Sequence, residues 1–161
     1  MSPSVPEPAL GKQRRGRRIA MSAEERDAFL ASERTCRVAS VGADGSPHVT
    51  PLWFVWDGAC LWLTSVVHSQ RWADLQRDRR VSVIVDTGHD FMELRGVEIR
   101  GKAEVVGEVP RTGAPVAELE TPERLFGGKY ADGRMHHDSR HAWLRITPHK
   151  IVSWDFRKMT G

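Results

Sequence analysis

The Asp57-Gly58 dipeptide is the feature of this sequence that most constrains its fold. It joins two runs, residues 47–56 and 61–67, that are rich in aromatic and β-branched residues, and Asp-Gly between such runs is a strong signal for a tight β-hairpin. The run before the turn is apolar on both faces. Because such a strand leaves little surface for water, we expect it inside a barrel or under a subunit interface.

The rest of the chain adds further β signals. Residues 35–41 and 81–85 are predicted as short strands, and residues 93–109 as two antiparallel strands or one long strand bent by a bulge. Two last strands, residues 142–147 and 150–156, are predicted on either side of a turn at Pro148-His149. With six to eight strands and no regular β-α-β alternation, the pattern indicates a mostly β fold, a small β-barrel with short helices.

Three short helices are predicted from their start signals. Ser22 with Glu25 three residues later forms a capping box for a helix reaching about residue 31. Ser69 is a suitable N-cap for a helix that ends near residue 78. Thr121 before a proline predicts a third N-cap, for a helix running towards Tyr130.

Charge divides the 161-residue chain into a tail and one domain. Residues 1–20 hold five basic residues against Glu7, a net charge of +4, which leaves 19 basic and 20 acidic residues in 21–161, a net charge of −1. The tail is rich in proline and arginine and has no periodic apolar face, so we predict disorder there and a single domain over residues 21–161. Met21 immediately precedes the first predicted helix and is a candidate translation start. Nucleic acid is a weak expectation, because the basic character belongs to the tail.

Several kinds of site are absent from the sequence. It has no dinucleotide-binding glycine motif, phosphate-binding P-loop, hydrolase nucleophile elbow or zinc-protease motif. Its two cysteines, Cys36 and Cys60, have no zinc-ribbon spacing and are predicted as buried thiols. No apolar run is long enough to cross a bilayer, and no export signal follows the paired arginines, so a cytoplasmic protein is expected.

The segment 132–141 contains three histidines, His136, His137 and His141, together with acidic residues. Imidazole and carboxylate are suitable metal ligands, but the whole segment is polar and lies between a predicted helix and a strand, which favours a solvated loop. We therefore predict no metal site. The other interpretation is a loop at the mouth of a cleft, where Arg140 or His141 meets an anionic substrate.

Ser69-Gln70-Arg71, at the start of the second helix, is the best candidate anion site. Free backbone N–H groups and the helix dipole favour an anion there, Arg71 adds a guanidinium, and Ser69 adds a hydroxyl. Thr64 and Ser65, on the preceding strand, contribute further donors. On these residues alone, an ordinary helix start is the more common explanation.

Together these stretches resemble a known family. Asp44-Gly45-Ser-Pro47 to Asp57-Gly58, then residues 61–65, then Ser69-Gln-Arg71 to residue 83, are similar to the pyridoxamine 5′-phosphate oxidase-like family of split β-barrel flavoproteins, and most similar to its flavin and deazaflavin oxidoreductases. The likeness covers nearly all of the chain from Met21 and is strongest over residues 38–86. It implies a split β-barrel that forms a homodimer, with two cofactor sites at the interface.

The resemblance also implies which residues bind the cofactor. The strand from His48 to Trp53 would run under the ring, and a set of polar residues would hold the phosphate. The implied cofactor-binding residues are His48, Val49, Thr50, Pro51, Leu52, Trp53, Thr64, Ser65, Ser69, Gln70, Arg71 and Trp72. The tryptophans Trp53, Trp56 and Trp72 would lie near the ring or the interface, although each is individually more typical of a core.

The function implied is an oxidoreductase that uses bound FMN or the deazaflavin coenzyme F-420 for hydride transfer with a small organic substrate. The chain lacks the Arg-Leu-x-Pro type C-terminal segment of the vitamin B6 oxidases, so that reaction is not implied. Nineteen arginines against five lysines indicate a GC-rich genome and favour F-420 slightly. Hydride transfer demands no particular side chain, so no catalytic residue is assigned. The alternative is a non-catalytic split barrel that binds a flavin or a tetrapyrrole.

Overall fold

A computed structural model describes residues 10–160 of the chain. Three α-helices, α1 (Ala23–Ser32), α2 (Gln70–Arg77) and α3 (Glu120–Tyr130), accompany seven strands. The strands are β1 (Thr35–Val41), β2 (Pro47–Trp53), β3 (Val55–Trp56), β4 (Leu61–Val66), β5 (Arg80–Thr87), β6 (Arg95–Val106) and β7 (His141–Asp155). Short 3₁₀ turns lie at Arg17–Ile19, Phe91–Glu93, Ala117–Leu119 and Phe156–Thr160.

All seven strands form one antiparallel sheet in the order β2-β1-β5-β6-β7-β4-β3. The sheet curls, so that β2 near one edge approaches β4 near the other, and the Arg71 side chain contacts both strands. The predicted mostly β split barrel is confirmed. The main core fills the inside of the curl and includes Phe29 and Leu30 from α1 and Leu75 from α2.

Local sequence signals predicted most of the helices and strands correctly. Asp57-Gly58 forms the predicted hairpin between β3 and β4, with Gly58 at φ +96°, and Asp57 Oδ1 accepts hydrogen bonds from the backbone N–H groups of Ala59 and Cys60. The capping box at Ser22 and the N-cap at Ser69 are both present. The two cysteines are free and buried, and burial raises the pKa of Cys36 to about 12.

The predicted single strand over residues 47–56 is wrong, because it is interrupted at Phe54. Residues 47–53 pair with β1, and only Val55 and Trp56 pair with β4. The reason lies in α3: the Tyr130 hydroxyl accepts a hydrogen bond from the Phe54 N–H at 3.1 Å, and Lys129 Nζ lies 3.4 Å from its carbonyl oxygen. These side chains replace the strand partners that Phe54 lacks.

Two further predictions are corrected. The predicted turn at Pro148-His149 is a bulge inside one continuous strand, because Gly101 pairs with Pro148 and Arg100 with Lys150, leaving His149 as the extra residue. Helix α3 begins at Glu120 rather than after Thr121, since the 3₁₀ turn Ala117–Leu119 runs directly into it. Residues 93–109 contain one long strand, which was one of the two alternatives expected.

The first nine residues of the predicted disordered tail lie outside the described residues. From residue 10 onward the chain lies along β7, where the Gln13 amide exchanges hydrogen bonds with the backbone of Ser153 at 2.9 and 3.1 Å. The Met21 backbone N–H donates to the hydroxyl of the same serine at 3.0 Å. The boundary between the tail and the domain at Met21 stays a prediction.

Candidate functional site

Arg71 holds the centre of the predicted anion site. It lies in the first turn of α2, whose N-cap Ser69 accepts a hydrogen bond from the Trp72 backbone N–H at 3.1 Å. Its guanidinium donates from Nη1 to Thr50 Oγ1 at 2.7 Å and from Nε to Ser65 Oγ at 3.3 Å. The structure therefore brings four predicted site residues from two strands and a helix to one point, since Ser65 Oγ also lies 3.3 Å from Ser69 Oγ.

The positive charge of Arg71 has no counter-ion among the described residues. Arg71 is only 9% exposed, and within residues 10–160 no carboxylate lies at ion-pair distance from it. Burial lowers the pKa of Arg71, which shows that the surroundings disfavour its positive charge. Because a buried charge is costly unless it is paired, a site of this kind favours an incoming anion. Three hydroxyls and the start of a helix add donors that suit a phosphate group.

Two predicted site residues, His48 and Gln70, belong to a neighbouring cluster around Asp74. Gln70 Nε2 donates to Asp74 Oδ1 at 2.8 Å, and Arg77 Nη2 donates to the same atom at 2.9 Å. These hydrogen bonds hold the pKa of Asp74 below its usual value. His48 Nδ1 lies 4.0 Å from Asp74 Oδ2, too far for a hydrogen bond, and it is buried without a partner among the described residues.

Successive side chains of β2 point to opposite faces of the sheet, and this divides the remaining predicted residues into two rows. His48, Thr50 and Leu52 point towards the inside of the curl, whereas Val49, Pro51 and Trp53 point outwards. Val49 is 63% exposed and Trp53 is 47% exposed, although Trp53 stacks on Tyr130 with ring centroids 4.5 Å apart. The outward row thus forms an apolar face on the side of β2 away from Thr50 and Arg71.

The two tryptophans Trp56 and Trp72 are buried in the main core, as the alternative interpretation expects. Helix α2 turns Trp72 inward beside Leu75, away from solvent.

Thr64 lies on the opposite face of β4 from Ser65 and lines a separate cavity of about 190 Å³. Aromatic side chains form much of its wall, with Phe126 packed edge-on against Trp143 at a centroid distance of 5.8 Å. His141 lines the cavity as well. The expectation that the 132–141 segment borders a cleft agrees with this geometry for His141, whereas Arg140 is not part of the cavity wall.

Glu123 contacts three residues of the cavity wall and was not predicted from the sequence. Its Oε1 accepts hydrogen bonds from Arg111 Nε at 2.7 Å and Trp143 Nε1 at 3.1 Å, and lies 3.2 Å from His137 Nε2. Burial works to raise the pKa of Glu123, but these partners outweigh it and hold the pKa below its usual value. No sequence signal identifies the residue, because an acidic residue in the first turn of a helix is ordinary.

The histidines of the 132–141 segment do not converge. His136 pairs with Asp132, His137 with Glu123, and His141 with Asp138. Across residues 10–160 there is no group of three or more His, Cys, Asp or Glu side chains arranged to hold a metal ion. In the same part of the chain no helix has the length and apolar character needed to span a membrane.

The sequence profile of the pyridoxamine 5′-phosphate oxidase family matches residues 22–155. No curated protein matches the chain significantly. A crystal structure of a conserved hypothetical protein from Mycobacterium tuberculosis is 32% identical, with a TM-score of 0.67 and 94% of each chain covered.

Two other solved structures show the range of relatives. An F-420 reductase is 25% identical over 78% of this chain and 94% of its own, with a TM-score of 0.59. A heme storage protein from Vibrio cholerae is 16% identical over 78% of this chain and 90% of its own, with a TM-score of 0.64. At that lower identity the likeness shows the fold alone.

Proposed function

Because the chain belongs to the pyridoxamine 5′-phosphate oxidase family, we propose that it is an oxidoreductase that binds FMN or F-420 at Arg71. The observation that carries this proposal is a buried guanidinium with no carboxylate partner in the described structure, surrounded by the hydroxyls of Thr50, Ser65 and Ser69. A phosphate group would supply the missing negative charge. FMN carries one at the end of its ribityl chain, and F-420 carries one in its side chain.

Different residues of the chain would then bind the phosphate, the ring system and the substrate. Arg71 and the three hydroxyls would hold the phosphate, and the backbone of β2 from His48 to Trp53 would lie along the ring system. When bound, FMN or F-420 supplies the capacity to accept or donate a hydride. The cavity beside Thr64 would hold the small organic substrate, because Thr64 lies next to the phosphate-binding Ser65 on β4 but faces the other way.

Either cofactor fits the phosphate site, and two observations favour F-420. The arginine-rich composition is one, and the 25% identity to an F-420 reductase is the other. Vitamin B6 oxidation is not proposed, because residues 151–161 lack the segment expected of those oxidases. The cytoplasmic location expected from the sequence stays a prediction.

We further propose that the protein acts as a homodimer. Strand β2 is an edge of the sheet, and its outward residues Val49, Pro51 and Trp53 leave an exposed apolar face. Exposed apolar edges of this kind are typical of surfaces that associate with another chain. A second copy that covers this face would also exclude water from the bound ring.

The test is a binding titration of the purified apoprotein with FMN, F-420 and haemin, each followed by absorbance or fluorescence. We expect FMN or F-420 to bind with one molecule per subunit, and the bound cofactor, once reduced, to pass its electrons to an added acceptor faster than to air. Binding of haemin alone would favour the tetrapyrrole alternative. If neither FMN nor F-420 binds, the proposal is wrong.

A further inference from the structure

Asp138 and His141 form a tightly fixed pair at the start of β7. His141 Nδ1 lies 2.5 Å from Asp138 Oδ2, and Asp138 Oδ1 accepts hydrogen bonds from the backbone N–H groups of Arg140 at 2.9 Å and His141 at 3.1 Å. Both carboxylate oxygens are therefore occupied, and only two residues separate the carboxylate from the imidazole that it holds. An imidazole whose Nδ1 donates to a carboxylate keeps its Nε2 available for proton exchange.

The pair borders the cavity proposed for the substrate. Both side chains line it, and His141 pairs in the sheet with Val66, two residues beyond Thr64. His141 Nε2 has no hydrogen-bond partner in the part of the chain that the structure describes. Aromatic side chains line the same cavity: Trp53 and Phe126 lie with ring centroids 6.2 Å apart. Walls of this kind suit a flat, conjugated molecule that stacks on them.

The other cavity histidines are less suited to proton transfer. His137 shares Glu123 with Arg111, so the negative charge of that carboxylate is already balanced by a guanidinium. Asp138, by contrast, makes no ion pair with an arginine or lysine in the described structure. Partial burial works to raise the pKa of Asp138, but its hydrogen bonds hold the pKa below the usual value, so the carboxylate is charged at neutral pH.

We propose that His141, positioned by Asp138, donates the proton that accompanies reduction of a planar conjugated carbonyl compound bound in this cavity. This inference rests on the proposed oxidoreductase function. When bound in its reduced form, the proposed cofactor would supply a hydride, which carries two electrons, for one end of the double bond. At the other end a new bond to hydrogen forms as the N–H bond at His141 Nε2 breaks, and the electron pair stays on Nε2. The neutral imidazole then takes a proton from water.

Five other titratable side chains lie in the cavity wall around His141 or hydrogen-bond to that wall. They are Arg111, Glu123, His136, His137 and Asp138. Arg111 is balanced by Glu108 and Glu123, and His136 is held by Asp132 at 3.0 Å. Among the described residues, Asp138 alone forms a hydrogen bond or ion pair with the His141 ring.

The first experiment measures single-turnover oxidation of the cofactor-loaded, pre-reduced protein by cinnamaldehyde, a planar conjugated aldehyde. We expect His141→Gln to slow this step by about 100-fold or more, the usual contribution of a general acid, with the cofactor dissociation constant unchanged within about twofold. The wild-type rate should fall as the pH rises, as expected of a step that needs a general acid, whereas the His141→Gln rate should be flat with pH. The matched control is Asp132→Asn, which removes the carboxylate of an exposed Asp–His pair and should leave the rate unchanged.

The second experiment needs no cofactor. In ¹⁵N-histidine-labelled apoprotein, long-range ¹H–¹⁵N NMR spectra should show His141 as the Nδ1–H tautomer, and Asp138→Asn should shift it towards the Nε2–H form. The signal is assigned by its loss in His141→Gln, which also reports whether the variant folds.

The outcomes separate the two proposals. If the wild-type protein binds no cofactor, the proposed function fails. If it binds cofactor but does not reduce cinnamaldehyde, or if His141→Gln reduces it as fast as the wild type, the assignment of His141 is overturned and the cofactor proposal stands. A His141 signal that is unaffected by Asp138→Asn overturns the positioning role of Asp138.

Discussion

Replacing Arg71 with methionine should have opposite effects on the stability of the apoprotein and on cofactor binding. Methionine keeps much of the length and volume of the side chain but removes its charge. In the apoprotein, Arg71 makes two hydrogen bonds to hydroxyls, and hydrogen bonds to charged groups contribute about 1.5–3 kcal/mol each. Against this stands the cost of a desolvated charge without a counter-ion, which is several kcal/mol.

These two effects are similar in size, so we expect the free energy of unfolding of the apoprotein to be unchanged or slightly higher in Arg71→Met. Ser65 keeps a hydroxyl neighbour in Ser69, which limits the cost of losing its arginine donor. Binding has no such compensation. Loss of a charged hydrogen bond to phosphate should weaken FMN or F-420 binding by about 1.5–3 kcal/mol, which corresponds to about 10- to 150-fold in the dissociation constant.

The assay combines urea unfolding of the apoprotein with a fluorescence titration of FMN. Riboflavin, which lacks the phosphate, serves as the ligand control: its affinity should be the same for the wild type and Arg71→Met. Arg80→Met serves as the protein control, because Arg80 is exposed and paired with Asp78 at 2.7 Å, so it changes the net charge equally without touching the site. An FMN dissociation constant within twofold of the wild type would refute the phosphate role. A loss of more than about 3 kcal/mol in apoprotein stability would instead identify Arg71 as a structural clamp between β2 and β4.

Three further predictions concern the cavity wall and the exposed strand. Glu123→Gln should lower the free energy of unfolding by about 1–3 kcal/mol at pH 7, since it breaks a largely buried ion pair with Arg111. Because the folded pKa of Glu123 lies below its ordinary value of 4.5, this difference should be present above pH 4.5 and disappear as the pH falls through the folded value, as thermal unfolding at several pH values will show. Gly127→Ala should lower the free energy of unfolding by about 1–3 kcal/mol, because a Cβ atom there would lie 2.7 Å from the backbone of Arg134. Amide hydrogen exchange should then become faster in residues 131–140 and not in the sheet. Val49→Glu should leave the fold intact but produce a monomer in sedimentation velocity, where the wild type sediments as a dimer; equal sedimentation of the two proteins would contradict the proposed interface.

Short-range chemistry explains why much of the fold was predictable. Asp57 accepts from N–H groups two and three residues ahead, Ser69 accepts from a residue three ahead, and Ser22 does the same. Each of these interactions is complete within one turn of chain, so the residues involved are adjacent in the sequence. The candidate anion site could be predicted from the sequence for the same reason, since most of its residues lie within a few positions of Arg71.

The errors come from interactions between distant parts of the chain. The break at Phe54 depends on Tyr130, 76 residues away, and nothing near Phe54 signals it. The bulge at His149 is visible only once β6 supplies the register, because proline and histidine together are equally compatible with a turn. In both cases the deciding hydrogen-bond partner is set by packing and has no local pattern.

The sequence by itself determined the hairpin, the helix starts, the mostly β class and the positively charged residue best placed for a phosphate. Only the tertiary structure decided that Thr50, 21 residues from Arg71, completes that site, that Glu123 holds the cavity wall, and that the Asp138–His141 pair faces the cavity. The physical reason is the curl of the sheet. A turn or a helix cap needs only its own neighbours, whereas a site at the meeting point of β2, β4 and α2 exists only after the sheet has curled and brought its edges together.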